Sequence, residues 1–393
     1  MKLARRLDHI EPFYVMECAK AAQAIAASPA CDPAQGGERM LFLNIGEPDF
    51  TAPPLVQEAA ERAIRAGRTQ YTEAMGLPAL REAISSWYAQ RFGLDIPARR
   101  IMVTAGASAA LQLACLALFE AGDEVLMPDP SYPCNRHFVA AAEAVARLLP
   151  TGPAQRFQLD GAAVAQAWGP ATRGVLLASP SNPTGTSIHP DELRRIDAVV
   201  SGHDGVTIVD EIYLGLSYDD TFGHSALQLG EHIVSVNSFS KYFSMTGWRL
   251  GWLVLPEALV APVERLAQNL FICASSVAQH AALACFHPES IAEYERRRAE
   301  FKARRDFVVP ALDRLGLRVP VLPDGAFYAY ADCSAHSADS WAFAFDLMDR
   351  AHVALTPGRD FGRHAPARWL RLSFASSRAK LDEALHRLQR TLA

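Results

Sequence analysis

The chain has 393 residues, of which 50% are hydrophobic and 21% are charged, and its formal net charge is −5. These values are typical of a globular protein of two or three domains and argue against a general nucleic-acid binder, which would carry a basic excess. The sequence lacks an apolar run of roughly 18 residues and a leader-like apolar core, and its seven cysteines form no CxxC pair, so we expect reduced thiols in a cytoplasmic protein.

Helical periodicity is clearest towards the N terminus. Four segments are predicted to be helical: 19–28, 54–66, 77–92 and 140–146. The segment 28–39 is rich in proline and glycine and is predicted to be a loop.

From residue 101 onward, short apolar runs alternate with helical stretches. The runs predicted to be strands are IMVTA, DEVLM, GVLLA, VTIVD, HIVSV and WRLGWLVL. Such runs are typical of a mostly parallel sheet covered by helices on both faces. Ligands of these sheets bind outside the carboxyl ends of the strands, where this chain carries its most unusual polar residues.

The character of the sequence changes after about residue 285. A long charged amphipathic helix is predicted there, followed by mixed strands and helices up to a last helix at 377–391. We therefore predict an α/β protein in three parts. These are an N-terminal segment 1–45 that has no core of its own and packs with the small domain, a large domain 46–284, and a small α+β domain 285–393.

Lysine is scarce in this chain, with five residues against 33 arginines, so a reaction that needs a lysine has few candidates. Lys241 follows an apolar run and has Ser238 and Ser240 close by, although strand ends also place lysines on a solvated rim. Arg249 is flanked by apolar residues, where a cation needs an anionic partner. Two hydroxyls and a guanidinium near a lysine would suit a phosphate.

Four further polar residues stand out, each with an ordinary alternative role. Asp210 ends the run VTIVD and is either a helix cap or a functional carboxylate, and Tyr213 nearby is equally compatible with the core. Asn182 lies in the turn SPSNPTG, where an asparagine commonly caps the turn. Arg371 lies in WLRLSF, and its planar guanidinium fits either an internal carboxylate or a substrate.

The small residues Gly106, Ala107 and Ser108 follow a predicted strand and open a predicted helix. Their backbone N–H groups could bind an anion at the helix N-terminus. The same pattern also resembles the nucleophile elbow of α/β hydrolases, with Ser108 as the nucleophile. A tight turn between a strand and a helix is the commonest reason for such a sequence.

Taken together, these candidates are a lysine, a carboxylate that could pair with a ring nitrogen, and a set of groups that could bind a phosphate. These are the groups that pyridoxal 5′-phosphate (PLP) chemistry uses.

The motifs IGEPDF, YTEAMGLPALREAI, VTAGASAAL, SPSNPTG, DEIY and SFSK-x7-R occur in one order along the chain, followed by RLSFA at 371–375. In these motifs the sequence resembles the class I/II aminotransferases of PLP fold type I over nearly its whole length. The resemblance implies a large domain with a mostly parallel sheet and a smaller α+β domain. It also implies PLP-dependent transfer of an amino group from an L-amino acid to a 2-oxo acid by ping-pong chemistry.

The resemblance implies roles for individual residues at the cofactor. Lys241 would hold PLP as an internal aldimine and then move the proton between Cα and C4′, and Asp210 would pair with the pyridine nitrogen. The remaining cofactor contacts would be Asn182 and Tyr213 at O3′, Tyr132 on the ring face, and Gly106, Ala107, Ser108, Ser238 and Arg249 at the phosphate.

The resemblance also implies how substrate and partner subunit would be bound. Arg371 would bind the substrate α-carboxylate, helped by the Gly46 backbone and by Asn182. Tyr71 would reach the phosphate in the other subunit, so the active unit would be a homodimer.

Two features of the sequence bear on the substrate. Some bacterial aspartate aminotransferases of this branch have a lysine where Ser108 stands here, which puts aspartate preference in doubt. Aromatic residues that could close an apolar pocket, or pack in the core, are Phe13, Tyr14, Phe271, Phe327 and Phe361. We therefore expect an aliphatic or aromatic amino donor with 2-oxoglutarate as acceptor.

Three other functions stay open at this point. The same fold also supports C–S lyases, decarboxylases and related carbanion chemistry. A hydrolase would use Ser108 with Asp210 or Asp324 and a later histidine such as His352, which leaves Lys241 unexplained. A PLP-binding regulator would need a DNA-binding domain, and only about 45 residues precede IGEPDF.

Overall fold

The computed structural model describes residues 2–393, except for the side chain of Arg5. The helices of this range are α1 (Tyr14–Ala26), α2 (Pro54–Arg65), α3 (Pro78–Phe92), α4 (Gly106–Leu118), α5 (Pro133–Ala141), α6 (Gly161–Ala167), α7 (Pro190–Ser201), α8 (Glu257–Leu270), α9 (Ser276–Ala282), α10 (Pro288–Arg314), α11 (Ser340–Ala351) and α12 (Arg378–Leu392). The strands are β1 (Leu41–Phe42), β2 (Ile101–Thr104), β3 (Glu124–Asp129), β4 (Val145–Pro150), β5 (Thr172–Ala178), β6 (Val206–Asp210), β7 (Val234–Ser238), β8 (Gly251–Val254), β9 (Tyr328–Asp332), β10 (Val353–Ala354), β11 (Thr356–Pro357) and β12 (Trp369–Ser373). None of the described helices is long and apolar enough to span a membrane.

The largest sheet has seven strands in the order β2-β8-β7-β6-β5-β3-β4. Strands β3 to β7 pair in parallel, and β8 runs antiparallel to both β7 and β2. Because the parallel strands all end at one edge, the residues that follow β5, β6 and β7 converge there. The predicted α/β class with a mostly parallel sheet is confirmed.

Apolar side chains cover both faces of this sheet. Val175 and Val209 pack into one buried cluster, whereas their neighbours Leu176 and Ile208 pack into a second cluster on the opposite face. Successive side chains of a strand point to opposite faces, so a strand buried on both sides reads as a continuous apolar run. This explains why GVLLA and VTIVD show no alternation with polar residues.

Two smaller sheets are built from C-terminal strands, and one of them also includes the N-terminal strand β1. β12 pairs antiparallel with β9 and β11, which places Arg371 opposite Tyr330 on one side and Thr356 on the other. β1 pairs in parallel with β10, and the Ser373 N–H donates to the carbonyl of Leu43 at 2.8 Å. The residues just before 45 therefore run beside the C-terminal strands. The division of the chain into three parts, with boundaries at 45 and 285, stays a prediction.

Two predicted elements differ from the structure. The segment 140–146 is not one helix, because α5 ends at Ala141 and β4 begins at Val145. Glu143 between them has a φ of 64°, a left-handed conformation that a helix cannot contain. The strand predicted for WRLGWLVL is shorter than expected and starts only at Gly251, because Arg249 also adopts a left-handed φ of 53°.

Candidate active site

Polar residues from three neighbouring strands meet at the carboxyl edge of the large sheet. Asp210 is the last residue of β6, Lys241 lies three residues beyond β7, and Asn182 lies four residues beyond β5. Lys241 lies near enough to Asp210 for its charge to lower the pKa of that carboxyl. The structure thus collects residues that lie up to about 60 positions apart in the sequence.

Lys241 is held at the edge by one hydrogen bond and by two aromatic rings. Its Nζ donates to the Gly46 carbonyl at 2.6 Å. The same atom lies 5.9 Å from the ring centre of Tyr213 and 6.0 Å from that of Phe327. Removal from water lowers the pKa of Lys241 to about 8, and the nearby Glu47 carboxylate opposes this shift. The amine is therefore easier to deprotonate than a lysine on the surface.

Asp210 is a buried carboxylate with few compensating contacts. Its Oδ1 accepts the N–H of Ile212 at 3.2 Å. Burial raises the pKa of Asp210 to about 6, while the Ile212 N–H, the Asn135 amide and the Lys241 charge act in the opposite direction. A cationic N–H partner at this carboxylate would stabilise its ionised form.

Arg371 is almost completely buried in β12 and is fixed by acceptors from two distant segments. Its Nη1 donates to Asn182 Oδ1 at 2.7 Å, and its Nη2 donates to the Asn44 carbonyl at 2.6 Å. The guanidinium carbon lies 4.5 Å from the ring centre of Tyr328 and 4.8 Å from that of Phe361. The Nε of Arg371 is buried without a hydrogen-bond partner among the described residues. This arrangement suits a carboxylate ligand that completes the donor set.

Gly106 and Arg249 form a cradle beside the N-terminus of α4. Gly106 has a φ of 81°, and a Cβ there would lie 2.6 Å from Arg249 Nη2. Arg249 is exposed, contrary to the expectation of a charge in apolar surroundings, because it lies before β8 begins and its Nη1 donates to the Thr246 carbonyl at 3.1 Å. Ser108 is also exposed and Ala107 is half-buried, whereas Ser238 is buried and its hydroxyl donates to the Leu250 carbonyl at 3.3 Å.

Tyrosines occupy the space between these groups. The hydroxyl of Tyr213 lies 2.7 Å from that of Tyr328, and burial raises the pKa of Tyr213 well above its ordinary value. Tyr132 directly precedes α5 and contacts the half-buried Phe13 edge-on, with ring centres 6.3 Å apart. Tyr71, in contrast, is 79% exposed and takes part in none of these contacts.

Sequence reasoning did not identify three residues that shape this edge. Asn44 supplies a carbonyl to Arg371, and both its side-chain polar atoms are buried without partners in the described chain. Tyr328 stacks on Arg371, and Asn135 lies beside Asp210. Only the position of Asn44 directly before IGEPDF was a local signal, since the other two depend on contacts between distant segments.

The arrangement argues against the hydrolase alternative. The Asp324 carboxylate accepts hydrogen bonds from Ser187 and from Arg156, the latter at 2.6 Å, and His352 is not among its partners in the described residues. No Ser–His–Asp relay therefore forms through Asp324.

Comparisons with known proteins agree on one family. Residues 38–388 match the model of aminotransferase class I and II. The chain is 38% identical to a valine–pyruvate aminotransferase from Mycobacterium tuberculosis, over 96% of either protein. It is 32% identical to aromatic-amino-acid aminotransferase 2 from Thermococcus litoralis, over 92% of this chain and 94% of the relative.

Solved structures give the same result. A crystal structure of an aminotransferase from Mycobacterium tuberculosis superposes with a TM-score of 0.94 at 38% identity, covering 100% of this chain and 99% of that one. Aspartate aminotransferase from Thermus thermophilus with maleate superposes with a TM-score of 0.91 at 32% identity, covering all of both chains.

Proposed function

Since the chain belongs to the class I and II aminotransferases, which depend on PLP, we propose that it takes amino donors with apolar side chains and that the edge described above is its active site. The observation that carries this proposal is the convergence of Lys241, Asp210 and Arg371. A deprotonatable amine, a buried carboxylate and a fixed guanidinium are the three groups that the transfer of an amino group requires here.

The residues fit the cofactor in three respects. The Gly106–Arg249 cradle at the N-terminus of α4 offers backbone N–H groups and a cation to a phosphate. Asp210 has few partners and would bind a protonated ring nitrogen, which would stabilise its ionised form. Tyr132, Asn182 and Tyr213 supply a ring and two polar groups around the same space. When bound, PLP supplies an electron sink for negative charge at the substrate α-carbon.

In this proposal Lys241 holds the cofactor covalently and then acts as the base. While substrate is bound, its Nζ would be a free amine within the site. Because the pKa of Lys241 is lowered to about 8, the amine would take a proton from the substrate α-carbon and deliver it to C4′ of the cofactor. The Gly46 carbonyl at 2.6 Å keeps the Nζ on one side of the site.

Arg371 would bind the α-carboxylate of both substrates. Its contacts with Asn182 and Asn44 fix the guanidinium before substrate arrives, so little ordering is needed on binding. The Asn182 amide, which contacts it, and the Gly46 backbone, two residues beyond Asn44, would complete the carboxylate site.

The apolar preference rests on the aromatic surroundings of Arg371. Phe361 and Tyr330 belong to a buried cluster against which Phe13 packs. Ser108, which is small and uncharged, offers no cation to a second carboxylate on the donor. The names of the Mycobacterium and Thermococcus relatives, valine–pyruvate and aromatic-amino-acid aminotransferase, are in line with this preference. Pyruvate and 2-oxoglutarate are the acceptors to compare.

We also propose a cytoplasmic homodimer in which Tyr71 contacts the phosphate of the other subunit. Tyr71 is 79% exposed, and Leu270 and Ile272 are about half exposed, so the described chain has large apolar groups that a second copy would cover. All seven cysteines are free in the described chain, in line with a reducing compartment.

One experiment tests the site and the reaction together. The purified protein is reduced with borohydride in the presence of PLP, and the modified peptide is mapped. A PLP adduct on Lys241 is expected, and an adduct elsewhere would contradict the assignment. Donors are screened for 2-oxo acid products with a separate sample that has not been reduced. Formation of ammonia or a free thiol instead would favour a C–S lyase on the same fold.

A further inference from the structure

The turn at Asp360 and Phe361 lies between Arg371 and the N-terminal helix. Asp360 is completely buried, and its Oδ1 accepts the N–H of Tyr14, the first residue of α1, at 2.9 Å. Its Oδ2 is buried with no hydrogen-bond partner in the described chain. The Asp360 carboxylate thus caps α1 from a segment almost 350 residues away in sequence.

This turn is held rigidly on its other sides. Asp129, the last residue of β3, accepts the N–H groups of Arg363 at 2.9 Å and His364 at 3.0 Å. Arg136 Nη2 donates to the Asp360 carbonyl at 3.1 Å. The turn therefore provides a fixed point from which Asp360 can position α1.

The same turn touches the proposed substrate site. The Phe361 ring lies 4.8 Å from the Arg371 guanidinium, and the Phe361 carbonyl accepts the N–H of Ser131, next to Tyr132, at 2.8 Å. Phe13 directly precedes α1 and packs edge-on against Tyr132. The place of Phe13 is thus set by the start of α1.

We propose that Asp360 is a positioning residue that fixes the size of the donor pocket by holding Phe13 against Tyr132. This inference rests on the proposed function of the site. It makes Phe13 the end wall for donor side chains, so that large apolar donors such as phenylalanine and leucine gain a contact that alanine is too short to reach. Loss of the cap would free the first turn of α1 and move this wall.

The test compares KM and kcat for phenylalanine and alanine in purified holoenzyme. D360A and F13A are each expected to raise the KM for phenylalanine about tenfold or more, with kcat and the KM for alanine changed less than about twofold. D360N should behave like wild type, because its Oδ1 still accepts the Tyr14 N–H. D160A is the matched control: Asp160 caps α6 through the Ala163 N–H at 2.7 Å.

The double variant D360A/F13A should be no worse than F13A alone, because both changes remove the same wall. Additive effects, equal changes for alanine and phenylalanine, or the same pattern in D160A would overturn the inference. If D360A does not fold, F13A decides, since an unchanged KM for phenylalanine in F13A also overturns it. A wild-type protein that transaminates no donor would instead refute the proposed function.

Discussion

Replacing Arg371 by alanine is the most informative test of the proposed substrate site. The guanidinium has five N–H bonds, and those to Asn182, Asn44 and Thr356 use three of them. A bidentate carboxylate would take the free Nε–H together with the adjacent Nη2–H that now makes the longest of these contacts, 3.4 Å to Thr356. A hydrogen bond to a charged group is worth about 1.5–3 kcal/mol, so R371A should lose about 3–6 kcal/mol of transition-state binding.

This loss corresponds to a decrease in kcat/KM of about two to four orders of magnitude for every donor and acceptor. The assay is steady-state kinetics with a donor series and with pyruvate and 2-oxoglutarate. Arg100 provides a matched control, because it is equally buried and donates to two backbone carbonyls, those of Leu255 at 2.7 Å and Glu231 at 2.8 Å. R100A should lose stability and keep its kcat/KM. Similar kinetic losses in R371A and R100A would refute the reasoning.

Three further outcomes are expected. K241A should show no measurable transamination in activity assays and should still bind PLP through the phosphate cradle in equilibrium dialysis. Substantial turnover by K241A would contradict the role of Lys241. Burial raises the pKa of Asp210 from 3.8 to about 6 in the folded state, so its contribution to stability is present below pH 4 and is lost as pH rises through 6. D210N should therefore raise the Tm of the cofactor-free protein at pH 7, because it removes a penalty of up to about 3 kcal/mol. Near pH 3 the Tm of D210N should equal that of wild type. A higher Tm of D210N at pH 3 would be evidence against this linkage. Y71A and K241A, each inactive alone, should recover activity when mixed and refolded as heterodimers, because one of the two sites then has both Lys241 and the partner's Tyr71. A Y71A protein as active as wild type would exclude a role for Tyr71 across the interface.

Much of the large sheet could be predicted from the sequence because its strands are buried on both faces. GVLLA and VTIVD are apolar throughout, and each is followed directly by the polar residues that gather at the carboxyl edge. The rule that ligands bind at this edge then places Asn182, Asp210 and Lys241 near one another without knowledge of any distance.

Other features depend on contacts that no local pattern records. The alanine-rich segment 140–146 favours a helix by propensity, yet pairing of β4 with β3 makes its last two residues the start of a strand. Asn44 and Asp360 act on residues more than 300 positions away. Arg249 lies outside β8 and has a left-handed φ of 53°, which a sequence of ordinary residues does not reveal.

The distribution of the site along the chain bears on the order in which the protein matures during synthesis. The proposed phosphate cradle, the carboxylate Asp210 and the lysine all lie between residues 106 and 249. The Arg371 guanidinium and its acceptor Asn44 come from opposite ends of the chain, and they meet once β12, which carries Arg371, is in place. During synthesis the ribosome therefore adds all of these cofactor-site residues more than 100 residues before it adds Arg371, although Tyr213 packs in the same buried cluster as the C-terminal Phe327 and Tyr328.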